Sequence, residues 1–205
     1  DFLIRMCREF SQGVLVMEVV YAGDPAAGEK ELEPLLRIGS PIDNGVTVQD
    51  YMVMQTQEDA LAHHGIRSYA KSGMVREITP AFIDAMIEAY RPDPRIAMFS
   101  HTLGGSVKRV DELATAFPHR NAETMLVFAG LWNNPAEDEE AIAAVREWYG
   151  HLEPFTGGYY QNIEWEIDAS AAGNYGPAYP RLREIKAEYD PMNLFRLNSN
   201  VRPAS

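Results

Sequence analysis

The chain has few cysteines and few basic side chains. Cys7 is the one cysteine among 205 residues, which excludes an internal disulfide and a cysteine-based metal cluster. Lysine and arginine number 18 against 30 aspartates and glutamates, so the net charge is -12, and this balance argues against nucleic acid, whose phosphates need a basic surface. No apolar run approaches the roughly 20 residues of a membrane span, and the sequence from Asp1 shows no signal-peptide pattern. A reducing cytoplasm is the expected location.

The remaining composition is that of an ordinary globular protein. Hydrophobic side chains make up 46% of the sequence and charged ones 23%, as in chains that bury a core. A length of 205 residues suits one large domain, or one domain with an extension.

Apolar periodicity predicts both strands and helices. Runs of β-branched and apolar residues predict strands at 13–22, 66–72, 96–101, 106–110 and 124–132. Helices are expected to begin after Gly23, at Pro80 and at Pro135, where turn or capping residues precede an apolar stripe, with a weaker helical stretch at 51–62. The sequence assigns no role to residues 1–12. The order of elements predicts an α+β fold, with a mostly antiparallel sheet and helices covering one face.

The most distinctive stretch lies near the C-terminus. Residues 174–196 read NYGPAYPRLREIKAEYDPMNLFR and are followed by NSNV at 198–201. Within it, Lys186 can reach Asp190 one helical turn further on, and the proline that follows Asp190 ends the helix. Leu194 and Phe195 are then expected to anchor the returning chain in the core.

This stretch is similar to the C-terminal signature of the berberine bridge enzyme-like flavoproteins, although Ala178 stands where that family has asparagine and Ser199 where it more often has glutamine. Shorter matches extend the resemblance to 19–24, 69–72, 103–107 and 115–120. The resemblance implies that residues 1–155 form the sheet and helices of a substrate domain. It also implies that residues 156–205 form a berberine-bridge-like extension, helical and then extended, that returns to an FAD-binding domain.

The function implied by this resemblance is that of the substrate-binding half of an FAD-dependent oxidoreductase. In such enzymes hydride passes from an alcohol or amine carbon of a small-molecule substrate to FAD, which oxygen reoxidises. The family holds FAD on an N-terminal domain with a glycine-rich pyrophosphate loop and a histidine or cysteine tether, and neither motif is visible in this sequence. The chain is therefore expected to be inactive alone and to need an FAD-binding domain, upstream or on another chain.

The segment GGYYQN at 157–162 fits the family's Tyr-x-Asn pattern with Tyr160 and Asn162. The resemblance makes Tyr160 the catalytic base that takes the substrate proton, and Asn162 a group that binds the flavin or orients the substrate. A phenol has an ordinary pKa of about 10, so neighbouring cations or hydrogen bonds must favour its ionised form. The simpler interpretation is a packed aromatic ring and a turn asparagine.

Lys71, His119 and Arg120 fall in other segments that resemble the family, and each is a candidate for substrate binding. Lys71 could instead pair with a carboxylate. His119 and Arg120 could instead be a loop pair that hydrogen-bonds backbone carbonyls. The stretch 124–132 has no acidic or amide side chain, so Tyr160 would work with little help from that strand.

Two other classes of function remain open. In the first, the chain is a non-catalytic binding or dimerisation module that uses the surface expected to face the flavin, and a homodimer would hide apolar area there. In the second and weaker one, it is an independent small-ligand enzyme of ferredoxin-like shape, for which no catalytic constellation is visible. The adjacent His63 and His64 point apart, so no metal site is expected.

Overall fold

The computed structural model describes residues 2–7, 14–57, 59, 63–165, 171–197 and 199–204. Its central element is an antiparallel sheet of five strands in the order β2-β1-β4-β5-β3. The strands are β1 Phe2–Cys7, β2 Val14–Val19, β3 Arg67–Val75, β4 Ile96–Thr102 and β5 Thr124–Trp132. β3 therefore lies at one edge of the sheet, with β5 as its neighbour.

Helices connect the strands and follow them. They are α1 Pro25–Leu36, α2 Tyr51–Thr56, α3 Pro80–Ala89, α4 Asp138–Leu152, α5 Ala171–Tyr175 and α6 Tyr179–Tyr189. The caps read from the sequence are present, since the Asp24 carboxylate accepts from the Ala27 amide and the Thr79 hydroxyl accepts from the Phe82 amide. Among the described residues, no helix has the length and apolar character needed to cross a bilayer.

The larger core lies between the sheet and helices α3 and α4. Alternate side chains of β3, β4 and β5 point toward these helices. The buried members of this core are Tyr69, Val75, Phe82, Ala89, Ile96, Met98, Leu126, Phe128, Trp132, Ala141, Val145, Trp148, Tyr149 and Leu152. The fully buried Phe128 ring meets the rings of Trp148 and Tyr149 edge to face, at centroid distances of 5.6 and 5.8 Å. These contacts hold α4 against the sheet.

The opposite face of the sheet carries a smaller apolar cluster. Its buried members are Met74, Ala122, Met125 and Val127, and Phe99, Leu103, Phe117, Ala129, Tyr160 and Ile163 pack against them half-buried. The predicted α+β class is therefore confirmed, with an antiparallel sheet and with α3 and α4 on one of its faces.

One prediction about the strands is wrong. The strand expected at 106–110 is a series of turns, because Gly105 turns the backbone with a φ of 55° and the Val107 amide bonds back to the Gly104 carbonyl. β1 lies within residues 1–12, to which the sequence alone assigned no role. The helical stretch expected at 51–62 is seen as α2, and residues 58 and 60–62 lie outside the described residues.

The turn after α6 is organised by the buried carboxylate of Asp190. As predicted, the Lys186 ammonium reaches it, and the same ammonium also donates to the Phe195 carbonyl. The carboxylate accepts from the amides of Leu194 and Phe195 at 2.8 and 3.1 Å. The hydrogen bond from Lys186 holds the pKa of Asp190 below its usual range. The prediction that Leu194 and Phe195 are core anchors is wrong for the described chain, because they are 72% and 83% exposed.

Candidate functional site

The segment 156–165 lies along the free edge of β3. An edge strand presents unpaired backbone donors and acceptors, and this segment satisfies some of them. The Gly157 amide donates to the Met74 carbonyl at 2.7 Å, and the Met74 amide donates to the Gly158 carbonyl at 2.8 Å. Gly158 has a φ of 136°, and a Cβ at this residue would lie 2.6 Å from Cε1 of His119. Glycine is therefore required where the segment turns onto the strand.

Tyr160 is hydrogen-bonded to a serine of β3. The fully buried Ser72 hydroxyl accepts a hydrogen bond from the Tyr160 amide at 2.9 Å. The Tyr160 ring packs half-buried on the smaller apolar cluster, edge to face with Phe117 at a centroid distance of 6.2 Å. The ring is thus held on the sheet face opposite α3 and α4.

Asn162 contacts the hydroxyl of Tyr160. The Asn162 side-chain amide is exposed and donates to the Tyr160 phenolic oxygen at 2.8 Å. A donor at this oxygen stabilises negative charge on it, which is what a phenol needs in order to act as a base. The structure thus brings together the two residues that the family pattern singled out, and their chemical roles stay predictions.

His119 is buried beneath this segment. Its Nε2 donates to the Asn174 carbonyl at 2.7 Å, and the Asn174 side chain accepts from the Gln161 amide at 2.9 Å. Burial lowers the pKa of His119, against the opposing effect of its hydrogen bonds to backbone carbonyls. These contacts match the alternative in which His119 bonds backbone carbonyls, and they connect the imidazole to the residue that follows Tyr160.

The lowered pKa of His119 predicts a loss of stability in acid. The unfolded chain takes up a proton near pH 6.5 that the folded chain resists. Stability is therefore fully present above that pH and is lost as the pH falls toward the lower pKa of the folded state. Between about pH 7 and pH 5, the free energy of unfolding of wild type should fall more steeply than that of His119→Gln. Urea titrations measure both slopes. His64→Gln, at an exposed position, is the control, and equal slopes for wild type and His119→Gln would contradict the prediction.

Arg120 lies beside the same aromatic group. Its guanidinium carbon is 5.0 Å from the centroid of the Phe117 ring, and its Nη2 donates to the Thr115 hydroxyl at 2.8 Å. Since Tyr160 also contacts the Phe117 ring, Arg120 and Tyr160 share this aromatic neighbour. Its substrate contact stays a prediction.

Lys71 lies away from this group. It occupies the β3 position between Tyr69 and Gly73, whose side of the strand faces the larger core. Its ammonium is 3.2 Å from the Glu164 carboxylate and 5.0 Å from the centroid of the Tyr149 ring. The structure does not bring Lys71 together with Tyr160, and this arrangement matches the alternative in which Lys71 pairs with a carboxylate.

Sequence reasoning missed the residues that support the Tyr160 segment. Ser72, Glu164 and Gln161 received no role, although Ser72 stands within a family-like segment and Gln161 within the Tyr-x-Asn pattern. Asn174 opens the C-terminal signature, which was the signal that could have identified it. The cleft of about 410 Å³ beside α3 lies on the side of the larger core and contains none of the predicted site residues. In the described part of the chain, no cluster of histidine, cysteine and acidic residues is arranged to bind a metal.

Comparison with solved structures identifies the fold first. The fold matches that of carbohydrate oxidase from Microdochium nivale with a TM-score of 0.81 at 21% identity, covering 100% of this chain and 48% of the oxidase. It matches berberine bridge enzyme-like 1 of Physcomitrella patens with a TM-score of 0.79 at 19% identity, again covering 100% and 48%. The sheet with its helices is therefore a fold found in oxidases of this type.

Sequence comparison adds relatives. Residues 167–202 match the family model described as berberine and berberine like. An FAD-linked oxidoreductase of Dictyostelium discoideum is 27% identical over 202 residues, which cover 94% of this chain and 43% of the relative. An uncharacterized FAD-linked oxidoreductase of Bacillus subtilis is 27% identical over 89% of this chain and 42% of its own length. The chain is thus similar to FAD-linked oxidoreductases over most of its length and to the berberine and berberine like family over its C-terminal segment. It spans less than half the length of these relatives.

Proposed function

We propose that this chain is the substrate-binding half of an FAD-dependent oxidoreductase that oxidises an alcohol or amine carbon. The observation that carries the proposal is the hydrogen-bonded pair of Tyr160 and Asn162, 2.8 Å apart, on the sheet face opposite α3 and α4. The FAD-linked relatives described above support the cofactor. Tyr160 is proposed as catalytic, Asn162 as a cofactor ligand, and Arg120 as a substrate contact.

The residues on this face suit a flavin ring. The half-buried members of the smaller apolar cluster, which include Phe99, Phe117 and Tyr160, leave apolar and aromatic surface on this face. The exposed Asn162 amide carries both a donor and an acceptor, which suits the alternating acceptors and donors at the edge of an isoalloxazine. When bound, FAD would accept the hydride and pass the electrons to oxygen, while the protein supplies orientation and specificity.

The proton chemistry belongs to Tyr160. Its phenolic oxygen takes the proton of the substrate hydroxyl or amine as the carbon gives up hydride. Asn162 donates to the same oxygen and stabilises the charge that the base carries. The Tyr160 ring is kept in place by its edge contact with Phe117 and by the hydrogen bond from the Tyr160 amide to the Ser72 hydroxyl. The base is therefore already ordered before the reaction begins.

The C-terminal segment is proposed to pack against the flavin-binding part of the protein. At the end of α6 and just after it the chain exposes several large apolar side chains, called here the C-terminal patch. They are Tyr189 at 79%, Met192 at 78%, Leu194 at 72%, Phe195 at 83% and Leu197 at 87% exposure. Exposed apolar side chains grouped within so short a stretch favour an interaction surface. On this proposal residues 1–155 bind substrate and residues 156–205 join that sheet to the FAD-binding part.

The proposal is tested by producing the 205-residue chain alone and together with its flavin-binding half. We expect the chain alone to be folded, colourless and inactive, whereas the combined protein is yellow and forms hydrogen peroxide from an alcohol or amine. Phe195→Asp should weaken the association of the two halves. Ile42→Asp, at a residue 82% exposed outside the patch, is the matched control. Stoichiometric flavin or turnover in the chain alone would refute the proposal, as would a combined protein without flavin.

The exposed C-terminal patch also favours one alternative, a non-catalytic module that dimerises through this surface. Light scattering on the 205-residue chain distinguishes the two. A dimer that Phe195→Asp converts to a monomer supports self-association. A strict monomer in wild type excludes it.

A further inference from the structure

Lys71 and Glu164 form an ion pair that is shielded from solvent. The side chains are 16% and 2% exposed, and the ammonium and carboxylate are 3.2 Å apart. The Lys71 ammonium also lies 5.0 Å from the centroid of the Tyr149 ring, a favourable position for a cation. Because a buried charge is costly unless an opposite charge meets it, each member of this pair depends on the other.

The ion pair lies at the far end of the segment that carries Tyr160 and Asn162. That segment begins with the backbone bonds between Met74 and the glycines at 157 and 158. It ends where the Trp165 amide donates a hydrogen bond to the Ala70 carbonyl, at the longer distance of 3.4 Å. Glu164 immediately precedes this long bond, and its pairing with Lys71 is a close side-chain contact to β3 at this end.

Asn162 stands on the turn between these two ends. The Ile163 and Glu164 amides both donate to the Tyr160 carbonyl, at 3.0 and 3.2 Å, and form a tight turn that carries Asn162 on its outside. Because the Asn162 side chain is exposed, its position over the Tyr160 hydroxyl is set by this turn more than by packing. A shift of Glu164 would therefore move Asn162 relative to that hydroxyl.

We infer that Lys71 and Glu164 are positioning residues, whose ion pair holds residues 161–165 against β3 and keeps the Asn162 amide on the Tyr160 hydroxyl. Lys71 acts from the core side of the strand and does not contact substrate. The catalytic consequence rests on the proposed function, whereas the structural consequence can be measured without it.

The structural test is hydrogen exchange, followed by mass spectrometry on the 205-residue chain. Lys71→Met leaves the Glu164 carboxylate buried without its cation, so amides at 160–165 should exchange at least about tenfold faster. Amides of β5 and α4 should keep their protection. Lys71→Arg retains the charge and should restore slow exchange. The double variant Lys71→Met with Glu164→Gln should lie closer to wild type than Lys71→Met alone, because no buried charge is left unpaired.

The matched control is Lys30→Met, which removes an exposed lysine from α1 and should change nothing at 160–165. Unchanged exchange at 160–165 in Lys71→Met would overturn the inference. An equal rise across β5 and α4 would also overturn it, since Lys71 would then support the core in general. If Lys71→Met does not fold, two other variants are compared with Glu164→Gln alone, namely Lys71→Arg and the double variant. Their exchange at 160–165 then tests the inference by the same criteria.

The catalytic test uses the flavin-containing protein. Lys71→Met should lower kcat by about 10- to 100-fold through misplacement of Asn162, with KM within about twofold of wild type because uniform substrate binding is untouched. Lys71→Arg should recover most of kcat, at unchanged flavin content. A rise in KM at constant kcat would mean that Lys71 binds substrate and would overturn the inference. If wild type itself shows no turnover, the proposed function fails and the exchange result alone decides the positioning role.

Discussion

Replacing Tyr160 by phenylalanine is expected to slow flavin reduction by about 10²- to 10⁴-fold, the range that a general base contributes. The substitution removes the one atom that accepts the substrate proton and keeps the ring that packs on Phe117. The fold should therefore persist, with a change in unfolding free energy below about 1 kcal/mol, since the lost hydrogen bond involves an exposed amide. Anaerobic stopped-flow mixing of the oxidised flavoprotein with the alcohol or amine substrate, followed by flavin absorbance, measures the rate.

The control for this substitution is Tyr51→Phe, which removes a hydroxyl from a ring on α2 that is 65% exposed. It should reduce flavin at the wild-type rate. The proposed role of Tyr160 is excluded if Tyr160→Phe reduces flavin within about threefold of wild type, well below the contribution of a general base. A loss of bound flavin in Tyr160→Phe would instead assign the residue to cofactor binding.

The largest expected effect on stability comes from Phe128. Phe128→Ala should lower the free energy of unfolding by about 3–5 kcal/mol, the cost of emptying a large site in a packed core. The side chain has no exposed surface and meets Trp148 and Tyr149 edge to face, so its removal opens a cavity between the sheet and α4. Native proteins have unfolding free energies of about 5–15 kcal/mol, so this loss is a large fraction of the total stability. Urea denaturation followed by circular dichroism measures it.

Two further variants make the Phe128 result interpretable. Phe128→Leu keeps most of the volume and should cost less than half as much, so it gives an answer even where Phe128→Ala does not fold. Ile87→Ala removes an aliphatic side chain that is 69% exposed on α3 and should cost less than about 1 kcal/mol. A similar cost for Ile87→Ala and Phe128→Ala would contradict the packing described between α4 and the sheet.

Local signals predicted much of the fold because they act over a few residues. An N-cap followed by proline is a short-range pattern, and Asp24 and Thr79 cap their helices as their sequence context indicated. The turn at Asp190 was also readable, since its partner Lys186 is one helical turn away. The β-branched run at 106–110 was misleading because the flanking Gly104 and Gly105 turn the chain.

Long-range contacts were less predictable. The family pattern picked out Tyr160 and Asn162 together, but the pairing of Lys71 with Glu164 joins residues far apart in sequence. Nothing local indicates which side of β3 a lysine faces until the register of the sheet is known. Phe195 illustrates a different difficulty. An apolar side chain suggests burial, yet burial requires a surface that covers it, and within the described residues Phe195 stays 83% exposed.

Because β3 is an edge strand, the segment 156–165 that lies along it also has a role in preventing aggregation. An uncovered strand edge is a template on which another chain can add a strand, and such addition leads to aggregation. Here the residues proposed to do chemistry, Tyr160 and Asn162, belong to the same segment that covers this edge. Selection for catalysis and selection against self-association would thus act on one short stretch. A variant that loosens this segment is expected to aggregate more readily and to catalyse the proposed reaction more slowly.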